Sequence, residues 1–287
     1  MMPARWPLIT ADWNFWPDEQ RGAEAFAIAA SLGFPGIEVA VYDPADLRDD
    51  VIADIGRWRA ETGLEVPVVT YCLPPRRWPG GCLVSEDASL RRRVIAHGRV
   101  LARKTRDVGA DILGMWLGGD RHRVVTSYPR AWAWLVDGVA EIAAGCAEAG
   151  VTLALEYKPG EVVGNADAFL RLAEAVDSTA FGLLLDTGHA LYGRELLPAV
   201  VRMCGPRLAH VHLDDNYGDA DRDLPPGEVH NFDAFFLTLA DVGYRGRLSL
   251  DLYYSVAEEG LTGADSCRRS KTYVDAVLAR LGLLEGA

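Results

Sequence analysis

Cysteine is scarce and scattered in this chain: five among 287 residues, at Cys72, Cys82, Cys146, Cys204 and Cys267. None stands in C-x-x-C spacing and an odd number leaves one unmatched, which argues against a disulfide framework or a thiolate zinc site. They read as small buried hydrophobes. Long apolar runs are also missing, since no segment approaches the ~18 unbroken apolar residues of a membrane span. The opening MMPARWPLITADWNFW has neither the apolar run nor the small-residue cleavage site of a signal peptide. The expectation is a soluble, cytoplasmic protein. Positive charge is in deficit, 29 Lys and Arg against 41 Asp and Glu for a net charge of -12. A nucleic-acid backbone is therefore a poor partner, because binding it needs basic patches. Small neutral or metal-chelated substrates remain open. No Pro/Ser linker or low-complexity tract divides the chain, so residues 1–287 read as a single domain.

What is present is alternation. Short β-rich runs follow one another with longer helical patterns between them, the signature of βαβ units around a parallel sheet. Eight units can be counted, at a period of about 30 to 40 residues, as expected of a (β/α)8 TIM barrel, an α/β fold. The strands are read at PLITADWNF, GIEVAV, EVPVVTYCL, DILGMWL, VTLALEYKPGE, FGLLLDTGHAL, LAHVHLDDNYGDADRDL and LSLDLYY. Helices are read over about 18–32, 44–63, 86–108, 128–148, 165–176, 195–204, 231–242 and 263–283, the first ending at Gly33 as a C-terminal stop. PPRRWPGGCL, after the third strand, is too rich in Pro and Gly for regular structure and reads as a lid or specificity loop. The run Arg91, Arg92 and Arg93 reads as a solvated face, and Trp132 and Trp134 as packing or subunit-contact residues. His97 and His230 read as structural or solvated.

In such a barrel functional groups sit at the C-terminal ends of the strands. The last four strands each end there in metal-ligand types. Buried carboxylates and imidazoles are costly unless something compensates their charge, and a divalent cation does so. A first ion could be held by Glu156, Asp186, His212 and Asp251, one group from each of four successive strands. Three carboxylates and an imidazole make a hard, mostly oxygen site suited to Mn2+, Mg2+ or Co2+. A second ion could share Asp186 and take His189, Asp221 and Asp223; the D-x-D pair would present both acids on one side of an extended loop. His210, two residues before His212, reads as a hydrogen-bonded support one layer deeper. Lys158 shares the side of its strand with Glu156, and a lysine beside cations is repelled unless its ammonium has work to do; it can polarise a sugar carbonyl.

These residues resemble those of the xylose-isomerase-like sugar isomerase and epimerase superfamily over nearly the whole chain. The site pattern is most similar to the two-metal xylose and L-rhamnose isomerases. Glu156, Lys158 and Pro159 match their Glu-x-Lys-Pro, Asp186 and His189 their acid-x-x-His, and His212 their strand-seven ligand. Asp221, Asp223 and Leu224 match their Asp-x-Asp-Leu, and Asp251 their strand-eight Asp. The turn MWLGGD is similar to the segment whose Trp lines the sugar pocket, which gives Trp116 that role. The resemblance implies an aldose–ketose isomerase acting by hydrogen transfer between C1 and C2, with one or two divalent ions per chain, catalysis by Lys158, Glu156 and Asp251, and substrate contacts from Trp116, Lys158 and His189. It implies a homodimer or homotetramer acting on a small sugar. No His follows strand two or three to open a sugar ring, so Tyr71, Asp43 or His122 would serve, or the open-chain form is taken. A one-metal ketose 3-epimerase or keto-inositol isomerase or dehydratase is the alternative on the same scaffold, and a non-enzymatic sugar-binding protein a more distant one.

Overall fold

A computed structural model describes residues 6–78, 82–118 and 127–284. Its eight strands form a closed parallel barrel in chain order: β1 (Leu8–Ala11), β2 (Ile37–Val41), β3 (Val68–Cys72), β4 (Ile112–Trp116), β5 (Thr152–Glu156), β6 (Phe181–Asp186), β7 (Leu208–Leu213) and β8 (Leu248–Leu250). Between and after them run α1 (Ala23–Ser31), α2 (Asp49–Thr62), α3 (Ala88–Val108), α4 (Tyr128–Ala149), α5 (Ala166–Val176), α6 (Thr187–Tyr192), α7 (Leu197–Cys204), α8 (Asp233–Asp241), α9 (Tyr253–Glu259) and α10 (Gly263–Arg280). The strands are nearly continuous apolar runs, as parallel strands covered on both faces must be; β6 is buried at all six positions.

The chain packs as two compact units. Residues 1–39, 55–66 and 185–287 make the first, in which β7, β8, β1 and β2 pair in register, with His212 beside Ser249, Thr10 beside Leu250, and Ala11 beside Glu38. Its core is aromatic: Trp6 stacks on Phe236 at 6.3 Å, Phe232 and Phe235 join them, and the Trp6 indole donates to the Tyr244 carbonyl at 2.9 Å. Residues 40–54 and 67–184 make the second, in which β3 to β6 pair in register, with Cys72 beside Trp116, Trp116 beside Glu156, and Glu156 beside Leu184. There α3 packs on α4, and Phe169 of α5 lies 5.6 Å from Phe181 of β6.

Helix boundaries follow local chemistry. Asp87 caps α3 by accepting from the Ser89 amide at 2.7 Å, Asn165 caps α5 through Ala168, and Thr262 caps α10 through Asp265. Gly33, expected as a stop, has φ 76°, the left-handed conformation that glycine adopts without steric cost. Three stretches differ from expectation. The first strand ends at Ala11, and Asp12–Asp18 turns into a 3-10 helix that carries Trp13 over the barrel end. The D-T-G-H and L-Y-Y segments, expected as strand ends, open the short helices α6 and α9. Among the described residues no helix is long and apolar enough to cross a membrane, and all five cysteines are free, Cys72 alone of them being partly exposed.

Candidate metal centre

In the first unit the site is built around the end of β7. His210 and His212 lie two residues apart on one strand and therefore on one face. Their Nε2 atoms are 3.0 and 3.1 Å from the two carboxylate oxygens of Glu38, on β2, and all three side chains are buried. Burial would raise the Glu38 carboxyl, but the two imidazoles His212 and His210 outweigh it and hold the group well below the usual carboxylate range. An ionised carboxylate can only accept, so both Nε2 atoms carry hydrogen. In the neutral ring Nδ1 of His212 then carries the lone pair, and it faces Asp251 Oδ2 at 3.5 Å and Asp186 Oδ2 at 4.0 Å. The Trp13 ring stands edge-on to the His212 ring at 5.7 Å, and its indole donates to Asp251 Oδ1 at 2.8 Å.

Asp186 ends β6 and caps α6, its Oδ1 accepting from the His189 amide at 2.6 Å. That cap fixes where His189 points: its Nε2 is 3.2 Å from Asp221 Oδ1. Asp223 is buried and accepts from the Tyr254 amide at 3.1 Å. Its φ is 45°, so the D-x-D pair is not the extended loop expected; the backbone turns at Asp223, and the two acids are oriented by separate partners.

Asp214 and Glu38 were not foreseen. Asp214 directly follows β7, its Oδ1 accepting from the Gly188 amide at 2.7 Å while Thr187 Oγ accepts from the Asp214 amide at 2.9 Å. The other oxygen, Oδ2, is buried without a hydrogen-bond partner. A Cβ on Gly188 would stand 1.8 Å from it, so only glycine admits this approach. Burial, and after it Asp186, Asp223 and Asp251, push the Asp214 carboxyl well above its ordinary value; His189 partly offsets them. Asp186, Asp214, Asp223 and Asp251, close together and mostly buried, thus lie beside the imidazoles of His189 and His212. Such a donor set, with an orphaned buried oxygen in it, fits a divalent cation. Both have a signal in the sequence: Glu38 is a charge in the middle of the apolar run GIEVAV, and Asp214 lies two residues beyond His212.

In the second unit, Glu156 ends β5 and Lys158 follows two residues on, both buried. The Lys158 ammonium sits over the Trp116 ring at 5.3 Å from its centroid, a contact between neighbouring strand ends. A desolvated cation over an indole is stabilised by ~2 kcal/mol. Asp43, named for ring opening, caps the 3-10 turn Pro44–Leu47 by accepting from Ala45, and the Tyr71 hydroxyl is buried without a hydrogen-bond partner. His122 and most of its loop lie outside the described residues, as do residues 79–81 of the Pro/Gly-rich loop. His230, expected to be structural or solvated, lies with Nδ1 2.7 Å from Asp215 Oδ1.

Residues 26–271 match the family described as xylose isomerase-like TIM barrel. An inosose dehydratase of Geobacillus kaustophilus is 39% identical over 84 residues, 29% of this chain and 27% of that protein's length. A xylose isomerase of Thermus thermophilus is 27% identical over 268 positions, covering 84% of this chain and 69% of that one. Among solved structures, an L-ribulose 3-epimerase aligns with TM-score 0.79 at 21% identity, covering 95% of this chain and 94% of the other, a likeness of fold. These relatives are enzymes of isomerase, epimerase and dehydratase type. With a closed eight-stranded barrel and a match over most of its length, this chain belongs to the xylose isomerase-like TIM barrel family.

Proposed function

We propose that this chain is a divalent-metal-dependent sugar isomerase that interconverts an aldose and a ketose by moving hydrogen between C1 and C2. The observation that carries the reading is the convergence of Asp186, Asp251 and the Nδ1 lone pair of His212, with Glu38 fixing the tautomer. Glu156 would complete a first ligand set, since it ends the strand next to β6 in the closed order. His189, Asp221 and Asp223, with Asp186 shared, would hold a second ion. Mn2+, Mg2+ or Co2+ suit these oxygen-rich sets. When bound, such an ion supplies Lewis-acid polarisation of substrate oxygens.

The chain's own groups account for the rest. Lys158 would donate to the carbonyl oxygen and stabilise negative charge developing there. The Trp116 ring, which already holds that ammonium, would present an apolar face to sugar C–H groups. Burial of Glu156 and Lys158 keeps water from competing for those hydrogen bonds. A second reading is favoured by the inosose dehydratase similarity, which is higher in identity though shorter: a keto-inositol or ketose substrate, one metal, and Glu156 and Asp251 as acid and base. Product analysis separates the two. Metal-loaded protein incubated with a panel of aldoses, ketoses and keto-inositols is followed by chromatography. Aldose–ketose interconversion supports the first reading, while epimer or dehydration products, with activity intact in Asp221→Ala, overturn it.

A further inference from the structure

A second concentration of charge lies in the second unit, after β2 and β3. Tyr42, Asp43, Arg77, Trp78, Arg93 and His97 line a cavity of about 310 Å³, a size at the small end of ligand sites. Two of the lining groups are guanidiniums, each lying over a ring: Arg77 over Tyr42 and Arg93 over Trp78, both 4.3 Å from the centroid. Neither side chain makes an ion pair or hydrogen bond among the described residues. Some arginines elsewhere do find carboxylates, as Arg99 does Glu148, Arg202 Asp241 and Arg280 Asp233. Asp43, the acid that lines the cavity, is committed elsewhere: it accepts from Ala45 and lies 3.7 Å from His97 Nδ1. His97 in turn meets the edge of Trp78 at 5.9 Å, and burial lowers its imidazole, with Asp43 partly opposing, so it adds little charge at neutral pH. The lining therefore carries two fixed cations against one anion.

We propose that this cavity is an oxyanion site, taking a carboxylate or phosphate group between the forks of Arg77 and Arg93. Stacking on Tyr42 and Trp78 fixes the plane of each guanidinium while its N–H edge stays open, so little ordering entropy remains to be lost when an anion arrives. A planar fork matches the spacing of two carboxylate or phosphate oxygens, which a lysine would not. The site uses none of the residues assigned to metal, and its existence is independent of the isomerase reading. Two sources have this chemistry: a free oxyanion, or the charged end of a polyol substrate such as an aldonate or sugar phosphate.

Calorimetric titration of inorganic phosphate into the full chain, stripped with chelator, tests the site. Saturable binding is expected, weakened about tenfold in Arg77→Gln and in Arg93→Gln by loss of a charge-assisted pair, and unchanged in Arg202→Gln. Both cavity arginines are exposed, so either variant keeps its core, and circular dichroism checks that. Absence of saturable binding, or equal affinity in all three variants, overturns the site. A second arm compares a sugar phosphate and an aldonate with their neutral parent sugar on metal-loaded protein. Tighter binding of the anionic polyol than of phosphate alone, lost in Arg93→Gln, assigns the cavity to the substrate; affinity no better than that of phosphate assigns it to a free oxyanion.

Discussion

Replacing Glu38 by Gln removes a charge without removing volume, and the geometry says what must follow. The carboxylate accepts from two imidazole N–H groups at 3.0 and 3.1 Å in a fully buried setting. A Gln amide has one acceptor oxygen and one NH2 donor. Whichever way it is turned, one histidine faces the NH2 group and either loses its bond or moves its proton to Nδ1. For His212 that proton would cover the lone pair aimed between Asp186 and Asp251. Losing one hydrogen bond to a charged group costs ~1.5–3 kcal/mol, which is about ten- to a hundredfold in an equilibrium constant. Substitution of an outer partner of a metal-bound imidazole has a similar effect, about ten- to a hundredfold in affinity. The assay is competition between the protein and a chromophoric chelator for Mn2+ or Co2+, with circular dichroism to check the fold. Affinity within about twofold of the native chain, ~0.4 kcal/mol, would refute the role given to Glu38.

Lys158→Ala is expected to lower turnover by about 10²–10³-fold, the effect of losing one donor to a developing oxyanion, while metal stoichiometry stays as in the native chain; surviving activity removes Lys158 from the chemistry. Gly188→Ala brings a methyl to within 1.8 Å of Asp214 Oδ2 and should destabilise by ~1–3 kcal/mol through forced repacking, read as a lowered urea midpoint. Chelator should lower the thermal midpoint as well, since an ion held at about a hundred times its dissociation constant stabilises by ~2.7 kcal/mol; an unchanged midpoint in Mn2+, Mg2+ and Co2+ argues that no ion relieves the acid cluster. In the native state a thiol reagent should modify one cysteine, Cys72, because burial pushes the thiols of Cys146 and Cys267 up to about 12 and encloses Cys82 and Cys204 too; rapid reaction at several thiols contradicts the packing described.

The barrel was legible because the strands are apolar runs bounded by turn signals and several helices begin or end on local chemistry, such as Asp87, Asn165 and Gly33. Position along a strand then indicated which residues reach the functional rim, and Asp186, His212 and Asp251 meet there within the first unit. What the sequence left open depends on pairs separated by long stretches of chain. Glu38 finds His212 across 174 residues, because β2 and β7 are separated only by β1 and β8 in the first unit's sheet. Nothing local to GIEVAV reveals that partner.

Composition and periodicity alone determined the number of βα units, the oxygen-rich character of the acid cluster and the strand ends that carry it, because those depend on the order of apolar and ionisable residues. The tautomer of His212, the inclusion of Asp214, the turned backbone at Asp223 and the two arginines stacked above Tyr42 and Trp78 were decided by tertiary structure. Each is a matter of which hydrogen-bond or ring partner lies within a few ångströms once the strands are side by side, and that distance is set by closure of the sheet rather than by neighbours in the chain.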